Sequence, residues 1–191
     1  MISAGDCTGV VLAGGRSSRM GRDKALLSIS GVSFLHRVTA TLRQVLPGVV
    51  IISDRESEHR IPGFTVYRDL LPDCGPLGGI HTALSKSTRP YAFVLSCDVP
   101  FASADLLREI LDRARPGEVT IAGDGLDVHP LLGIYPASLL PLLEEDLKAG
   151  RKKVGAFLAR PDVPLAVLPL SHRSHELRNI NTPEDFSGLS G

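Results

Sequence analysis

The chain has 191 residues, 43% of them hydrophobic and 22% charged, and its 21 basic and 21 acidic residues leave a formal net charge of zero. This is the composition of a folded soluble protein rather than a disordered one, and the even charge balance excludes global attraction to nucleic acid or an anionic membrane surface. The length fits one domain over residues 1–191; three cysteines (Cys7, Cys74 and Cys97) with no C-x-x-C pair argue against a disulfide framework or structural zinc; and the lack of a signal-like start or an apolar run near ~20 residues predicts a cytoplasmic location.

Apolar runs of strand length alternate with segments of helical period, the pattern of a mostly parallel sheet covered by helices on both faces: an α/β, three-layer α/β/α fold. The first strand is about Gly9 to Ala13. It runs into Leu12 to Lys24, which holds three glycines and four cations in thirteen residues. Glycines let a backbone approach a ligand closely, and Arg and Lys supply the charge that phosphate oxygens need. The spacing is that of neither the P-loop nor the dinucleotide fingerprint. From Ser33, residues Phe34, Leu35, Val38, Leu42 and Val45 recur at helical spacing until Pro47-Gly48 breaks the run. Val49 to Ile52 reads as a strand buried on both faces and Phe64 to Tyr67 as a third. A loop over Pro72 to Gly79 precedes a short helix over Ile80 to Lys86. Tyr91 to Leu95 is another buried strand and delivers Ser96-Cys97-Asp98. Ser103 then caps a helix with Leu106, Leu107, Ile110 and Leu111 as its apolar stripe. Further on, Val119 to Ala122, Leu131 to Tyr135 and Val163 to Leu168 read as strands, Ser138 to Lys148 and Val154 to Leu158 as helices, and Thr182-Pro183-Glu184-Asp185 opens a terminal helix. Arg151-Lys152-Lys153 forms a second local basic patch.

Loops that follow different parallel strands converge at a topological switch point. The glycine and cation loop, Asp69 and Asp98 meet there, a combination suited to a triphosphate with one hard cation. Asp98 is the predicted Mg²⁺ ligand, since Mg²⁺ favours one or two carboxylates with phosphate oxygens and water. Lys24, with Arg19 as a second candidate, would neutralise charge on a leaving pyrophosphate. Each residue also has a plainer reading. Asp98 could cap the next turn, Lys24 could be solvated, and Asp69 could pair with Arg68 or Arg60. His129 could be a loop histidine, Asn179 and Asn181 could shape the turn before the last helix, and Cys97 reads as a small buried residue.

Five motifs in order, from residue 10 to residue 185, resemble the molybdenum cofactor guanylyltransferase family: Leu12-Ala13-Gly14-Gly15-x-Ser17-x-Arg19-Met20-Gly21-x-Asp23-Lys24, Gly75-Pro76-Leu77-Gly78-Gly79, Cys97-Asp98-x-Pro100-Phe101, His129-Pro130-Leu131, and Asn179 to Asp185. The resemblance implies a Rossmann-like nucleotidyltransferase fold and a Mg²⁺-dependent transfer of GMP from GTP to molybdenum-molybdopterin. The pterin's terminal phosphate would attack the α-phosphorus in line, releasing pyrophosphate. It implies nucleotide contacts at Leu12, Ala13, Gly14, Gly15, Lys24, Ser53, Asp69, Gly78, Gly79 and Asp98, a metal ligand at Asp98, and a pterin side at His129, Asn179 and Asn181. Other proteins of cofactor synthesis and molybdoenzyme apoproteins are the implied partners. One departure stands out: Ser53 occupies a position where family members commonly have asparagine. Gly14-Gly15 and Gly78-Gly79 resemble the guanylyl branch, whereas the cytidylyl branch tends to carry an alanine in each pair, whose methyl would restrict a purine. The competing readings are a molybdopterin cytidylyltransferase, a sugar-phosphate nucleotidyltransferase and a non-catalytic nucleotide-binding module.

Overall fold

A computed structural model of the chain describes residues 1–14 and 23–187. Of the predicted site residues, Gly15 and Arg19 therefore lie outside the described residues. The sheet has seven strands. In chain order these are β1 (Cys7–Leu12), β4 (Val49–Ile52), β5 (Thr65–Tyr67), β6 (Tyr91–Ser96), β7 (Val119–Gly123), β8 (Val128–Pro136) and β9 (Leu165–Pro169), arranged across the sheet as β5-β4-β1-β6-β8-β7-β9. A separate hairpin, β2 (Ser28–Ile29) and β3 (Val32–Ser33), turns through Ser30 and Gly31, both at positive φ (52° and 77°), the geometry a two-residue hairpin loop favours.

The helices are α1 (Phe34–Arg43), α2 (Gly75–Lys86), α3 (Ala104–Arg113), α4 (Leu140–Lys148), α5 (Val154–Leu158) and α6 (Pro183–Ser187). Ser33 and Ser103 cap α1 and α3, their hydroxyls accepting from His36 N at 3.2 Å and Leu106 N at 3.1 Å. Because side chains of a strand point alternately to its two faces, β1 feeds two cores. Val11 packs with Leu35, Val38 and Leu42 of α1 and Leu106, Leu107 and Ile110 of α3. Val10 and Leu12 pack with Leu77 and Ile80 of α2, Leu143 and Leu147 of α4 and Phe157 of α5. The result is the expected three layers.

Two features differ from the sequence reading. Helix α2 begins at Gly75, five residues ahead of the expected Ile80, so Gly78 and Gly79 are helical rather than in a loop. Gly75 has a φ of +60°, Pro76 stands in the first turn, and close packing overrides the low helix propensity of the glycines. A Cβ at Gly78 would lie 2.7 Å from Cys74 Cβ, and one at Gly79 would lie 3.1 Å from Leu12 Cδ2. The second difference is β8, which starts three residues before the expected Leu131 and runs antiparallel to both β6 and β7. The β7–β8 link is a tight turn, in which the Asp124 carboxylate accepts from Leu126 N at 2.9 Å and Asp127 N at 2.8 Å, and a hairpin forces antiparallel pairing.

Candidate active site

The chain runs from β1 outward to β4 and β5, then returns to lay β6 on the other side of β1. That reversal opens a crevice at the C-terminal ends of these strands. A cleft of about 580 Å³ occupies it, lined by Leu12, Ala13 and Gly14 after β1, Ser53, Asp54 and Arg55 after β4, Asp69 after β5, Gly75, Pro76 and Gly79 of α2, and Ser96, Asp23, Asp73 and Leu131. Backbone bonds carry the ladder past the strand ends and fix these loops. Ala13 N donates to Ile52 O at 3.0 Å, Ser53 N to Tyr67 O at 2.9 Å, and Cys97 N to Leu12 O at 3.1 Å. At Gly14, which lines the cleft, a Cβ would meet nothing within 4 Å among the described residues. The N-terminus of α2 borders the same space, and first-turn N–H groups present partial positive charge there.

Asp69 is the most perturbed carboxyl of the cleft. Its Oδ1 is buried and has no hydrogen-bond partner among the described residues. Burial, and then the charge of Asp54, push its pKa up to about 6, with the Thr82 hydroxyl acting the other way. Of the two partners in its plainer reading, Arg68 and Arg60, the latter pairs instead with Glu56 at 3.6 Å. Gly79 lies beside it: a Cβ built on Gly79 would stand 3.8 Å from Asp69 Oδ1.

On the β1–β6 shoulder, Lys24 Nζ donates to Asn181 Oδ1 at 2.5 Å and Ile180 N donates to Asp98 O at 2.8 Å. Consecutive residues of the C-terminal segment thus touch Lys24 and Asp98. The same neighbourhood is felt at Cys97, whose thiol is pushed up by burial first and then by the charges of Asp98 and Asp23, with Lys24 opposing. All three cysteines are buried and free, so Cys97 is the small buried residue expected. No donor among the described residues bonds the Asp98 carboxylate, and Ser103, not Asp98, caps the following helix.

Asp23, quoted in the first motif without a role, caps the 3₁₀ turn that begins at Lys24. Its Oδ1 accepts from Ala25 N at 3.0 Å, and its Oδ2 meets Arg55 Nη1 at 3.0 Å and His59 Nε2 at 2.9 Å. The other ring nitrogen of His59, Nδ1, lies 2.6 Å from Ser53 Oγ. Nothing in the sequence singles out His59, because Asp23 stands 36 residues away from it.

The remaining predicted residues are placed elsewhere. Gly78 does not line the cleft, and packing on Cys74 accounts for it. His129 is buried two residues before Leu131, with Nε2 3.5 Å from Asp124 Oδ2. Asn179 is exposed, and Asn181 shapes the terminal turn through its N–H, which Asp185 accepts at 2.9 Å, as well as holding Lys24. The structure gathers Leu12, Ala13, Gly14, Ser53, Asp69 and Gly79 in the cleft, and Lys24, Asp98 and Asn181 on its shoulder.

Comparison with known proteins identifies the family. The MobA-like NTP transferase domain matches residues 9–164. A molybdenum cofactor guanylyltransferase of Rhizobium leguminosarum bv. trifolii is 35% identical, with 97% of this chain and 92% of the relative covered. One of Serratia proteamaculans is 32% identical, with 94% and 92% covered. The crystal structure of molybdopterin-guanine dinucleotide biosynthesis protein A from Archaeoglobus fulgidus superposes with a TM-score of 0.80 at 22% identity, covering 95% of this chain and 96% of that one, which shows the shared fold. A cleft at the switch point of this sheet, together with a domain match over most of the chain, places the protein in the MobA-like NTP transferase family and makes it a nucleotidyltransferase.

Proposed function

We propose that the protein transfers GMP from GTP to molybdenum-molybdopterin, releasing pyrophosphate, in the cytoplasm. The observation that carries the choice of base is the buried, unpartnered Oδ1 of Asp69 in the wall of the cleft. A carboxylate only accepts hydrogen bonds, and an orphaned buried acceptor is costly until a donor meets it. Guanine carries adjacent N–H donors at N1 and N2, which suit a carboxylate, and a carbonyl that suits the N–H groups opening α2. Cytosine has a single amine beside ring and carbonyl acceptors and fits that wall less well. The names of the two relatives support the same acceptor and nucleotide.

Asp98 is the residue that would hold Mg²⁺. It is one hard carboxylate just past a strand end, and among the described residues no donor bonds it and no group of three or more His, Cys, Asp or Glu side chains could hold a metal. When bound, the metal supplies positive charge to the phosphate oxygens. The chain's own residues do the rest. Gly14 leaves room for a phosphate against the backbone, and Asp69 orients the base. Lys24, steadied by Asn181, faces the negative charge that grows on the departing pyrophosphate. Because its side chain is engaged with Lys24, Asn181 acts on the triphosphate side, and His129 and Asn179 are left as the pterin-side candidates. The three buried free thiols suit a reducing compartment, and among the described residues no helix is long and apolar enough to cross a membrane. Cofactor-synthesis proteins and molybdoenzyme apoproteins are the expected hand-over partners.

Pyrophosphate release measured with each of the four nucleoside triphosphates, with and without molybdenum-loaded molybdopterin, tests the reading. Turnover should need both GTP and the pterin, and turnover with CTP alone would overturn it. Asp98→Ala should lower the rate at least about 100-fold while the protein stays folded. An unchanged rate at ordinary Mg²⁺ would remove the metal assignment.

A further inference from the structure

Buried among the loops after β1 and β4 is a chain of hydrogen bonds that the transfer reaction, as described so far, does not use. His59 is 1% exposed, and both its ring nitrogens are engaged, Nδ1 with Ser53 Oγ at 2.6 Å and Nε2 with Asp23 Oδ2 at 2.9 Å. Asp23 Oδ2 also accepts from Arg55 Nη1 at 3.0 Å, so it serves as an acceptor and the hydrogen of the Nε2 contact is assigned to the ring. With that nitrogen protonated, a neutral imidazole leaves Nδ1 as an acceptor, and the Ser53 hydroxyl donates to it. Ser53 Oγ accepts from Arg55 N at 3.0 Å with one lone pair. Its second lone pair is the only hydrogen-bonding capacity left to it. Ser53 lies in the cleft wall and is 1% exposed. A hydrolytic triad is arranged the other way round, with the serine on Nε2 and the carboxylate on Nδ1.

We propose that His59 is a positioning residue: it fixes the Ser53 hydroxyl as an acceptor for a ribose hydroxyl of the nucleotide, and through Asp23 it ties that end of the cleft to the turn carrying Lys24. The ring is a rigid strut between two loops that are far apart in sequence. Asp23 caps the 3₁₀ turn of Lys24 at one end of it, and Ser53 directly follows β4 at the other. The inference rests on the guanylyltransferase reading, because it needs a nucleotide in the cleft.

Two substitutions separate the arms of the strut. The amide of His59→Gln reaches the position of Nε2 and keeps a partner for Asp23, whereas that of His59→Asn reaches Nδ1 and keeps a partner for Ser53. Equilibrium binding of GTP, 2′-deoxy-GTP and 3′-deoxy-GTP is measured with Mg²⁺ present. The wild-type protein should discriminate against one of the deoxynucleotides by about tenfold. The discrimination should fall to about twofold or less in His59→Gln and persist in His59→Asn, which should instead slow turnover about tenfold. Should His59→Gln fail to fold, Ser53→Ala reads the same arm and should also abolish the discrimination. Discrimination unchanged in both His59→Gln and Ser53→Ala, or absent from a wild-type protein that binds GTP, overturns the inference alone. A wild-type protein that binds no GTP overturns the functional reading and the inference with it.

Discussion

Asp69 carries an electrostatic cost that a proton or a ligand relieves. Its pKa is raised to about 6, so in the free protein the carboxyl is half protonated near that pH, and its charged form weakens the fold relative to an unfolded chain in which it would ionise near ~3.9. The sign follows from that order. The folded state holds the proton more tightly, so this group's contribution to stability improves as pH falls from about 6 towards about 4 and worsens on the way up. Binding runs the other way, because guanine donors need the ionised form. GTP affinity should therefore weaken as pH drops through about 6, and Asp69→Asn should flatten that dependence, bind GTP roughly 10- to 100-fold more weakly, and melt at a higher temperature at neutral pH. Titration of GTP between pH 5 and 8 with both proteins checks it, and a pH profile identical in the two would show that Asp69 does not read the base.

The strands and helices were legible because period and burial agree. Val49 to Ile52 and Val154 to Leu158 carry the expected bounds, and Thr182 caps α6 through Asp185 N at 3.1 Å. Elements fixed by contacts distant in sequence were not legible. Helix α2 is opened by glycines that local propensity disfavours, and Arg151 of the expected basic patch is committed to the buried Asp146, with Nε and Nη2 at 2.9 and 2.7 Å. Strand β8 is the clearest case. Opposite β7 its register jumps from Gly133, facing Ile121, to His129, facing Ala122, so residues 130 to 132 have no partner on that side. Pro130 has no N–H to give a ladder and suits such a bulge, while Tyr135 Oη closes it by donating to Pro130 O at 2.5 Å. The bulge also brings Leu131 into the cleft wall. Gly133 lets the strands approach: a Cβ there would lie 2.2 Å from Thr120 O and 2.8 Å from Ile121 Cα, both backbone atoms that cannot rotate aside. Gly133→Ala should thus destabilise the protein by about 2–3 kcal/mol in a denaturant titration, and a loss below about 0.5 kcal/mol would mean that β7 yields freely.

Across the whole molecule, the segment after β9 returns to complete a site that the parallel half of the sheet begins. The matched domain ends at residue 164, yet Leu177 and Ile180 beyond it are fully buried, and Phe186 of α6 packs on Phe34 of α1 with ring centroids 6.0 Å apart at 58°. Those anchors bring Ile180 N to Asp98 O and Asn181 Oδ1 to Lys24 Nζ, so one returning strap holds both the metal-ligand candidate and the lysine proposed to neutralise charge. If the strap only stabilised the fold, removing its contact with Lys24 would lower the melting temperature and leave turnover alone. If it sets where the ammonium stands when pyrophosphate departs, turnover suffers instead. Asn181→Ala deletes one hydrogen bond to a charged group, worth about 1.5–3 kcal/mol, and leaves the apolar anchors in place. Applied to the transition state, that loss predicts a kcat about 10- to 100-fold lower, with GTP affinity within about threefold. Single-turnover kinetics beside equilibrium GTP binding separates the two outcomes, and an unchanged kcat with a lowered melting temperature would make the strap purely architectural.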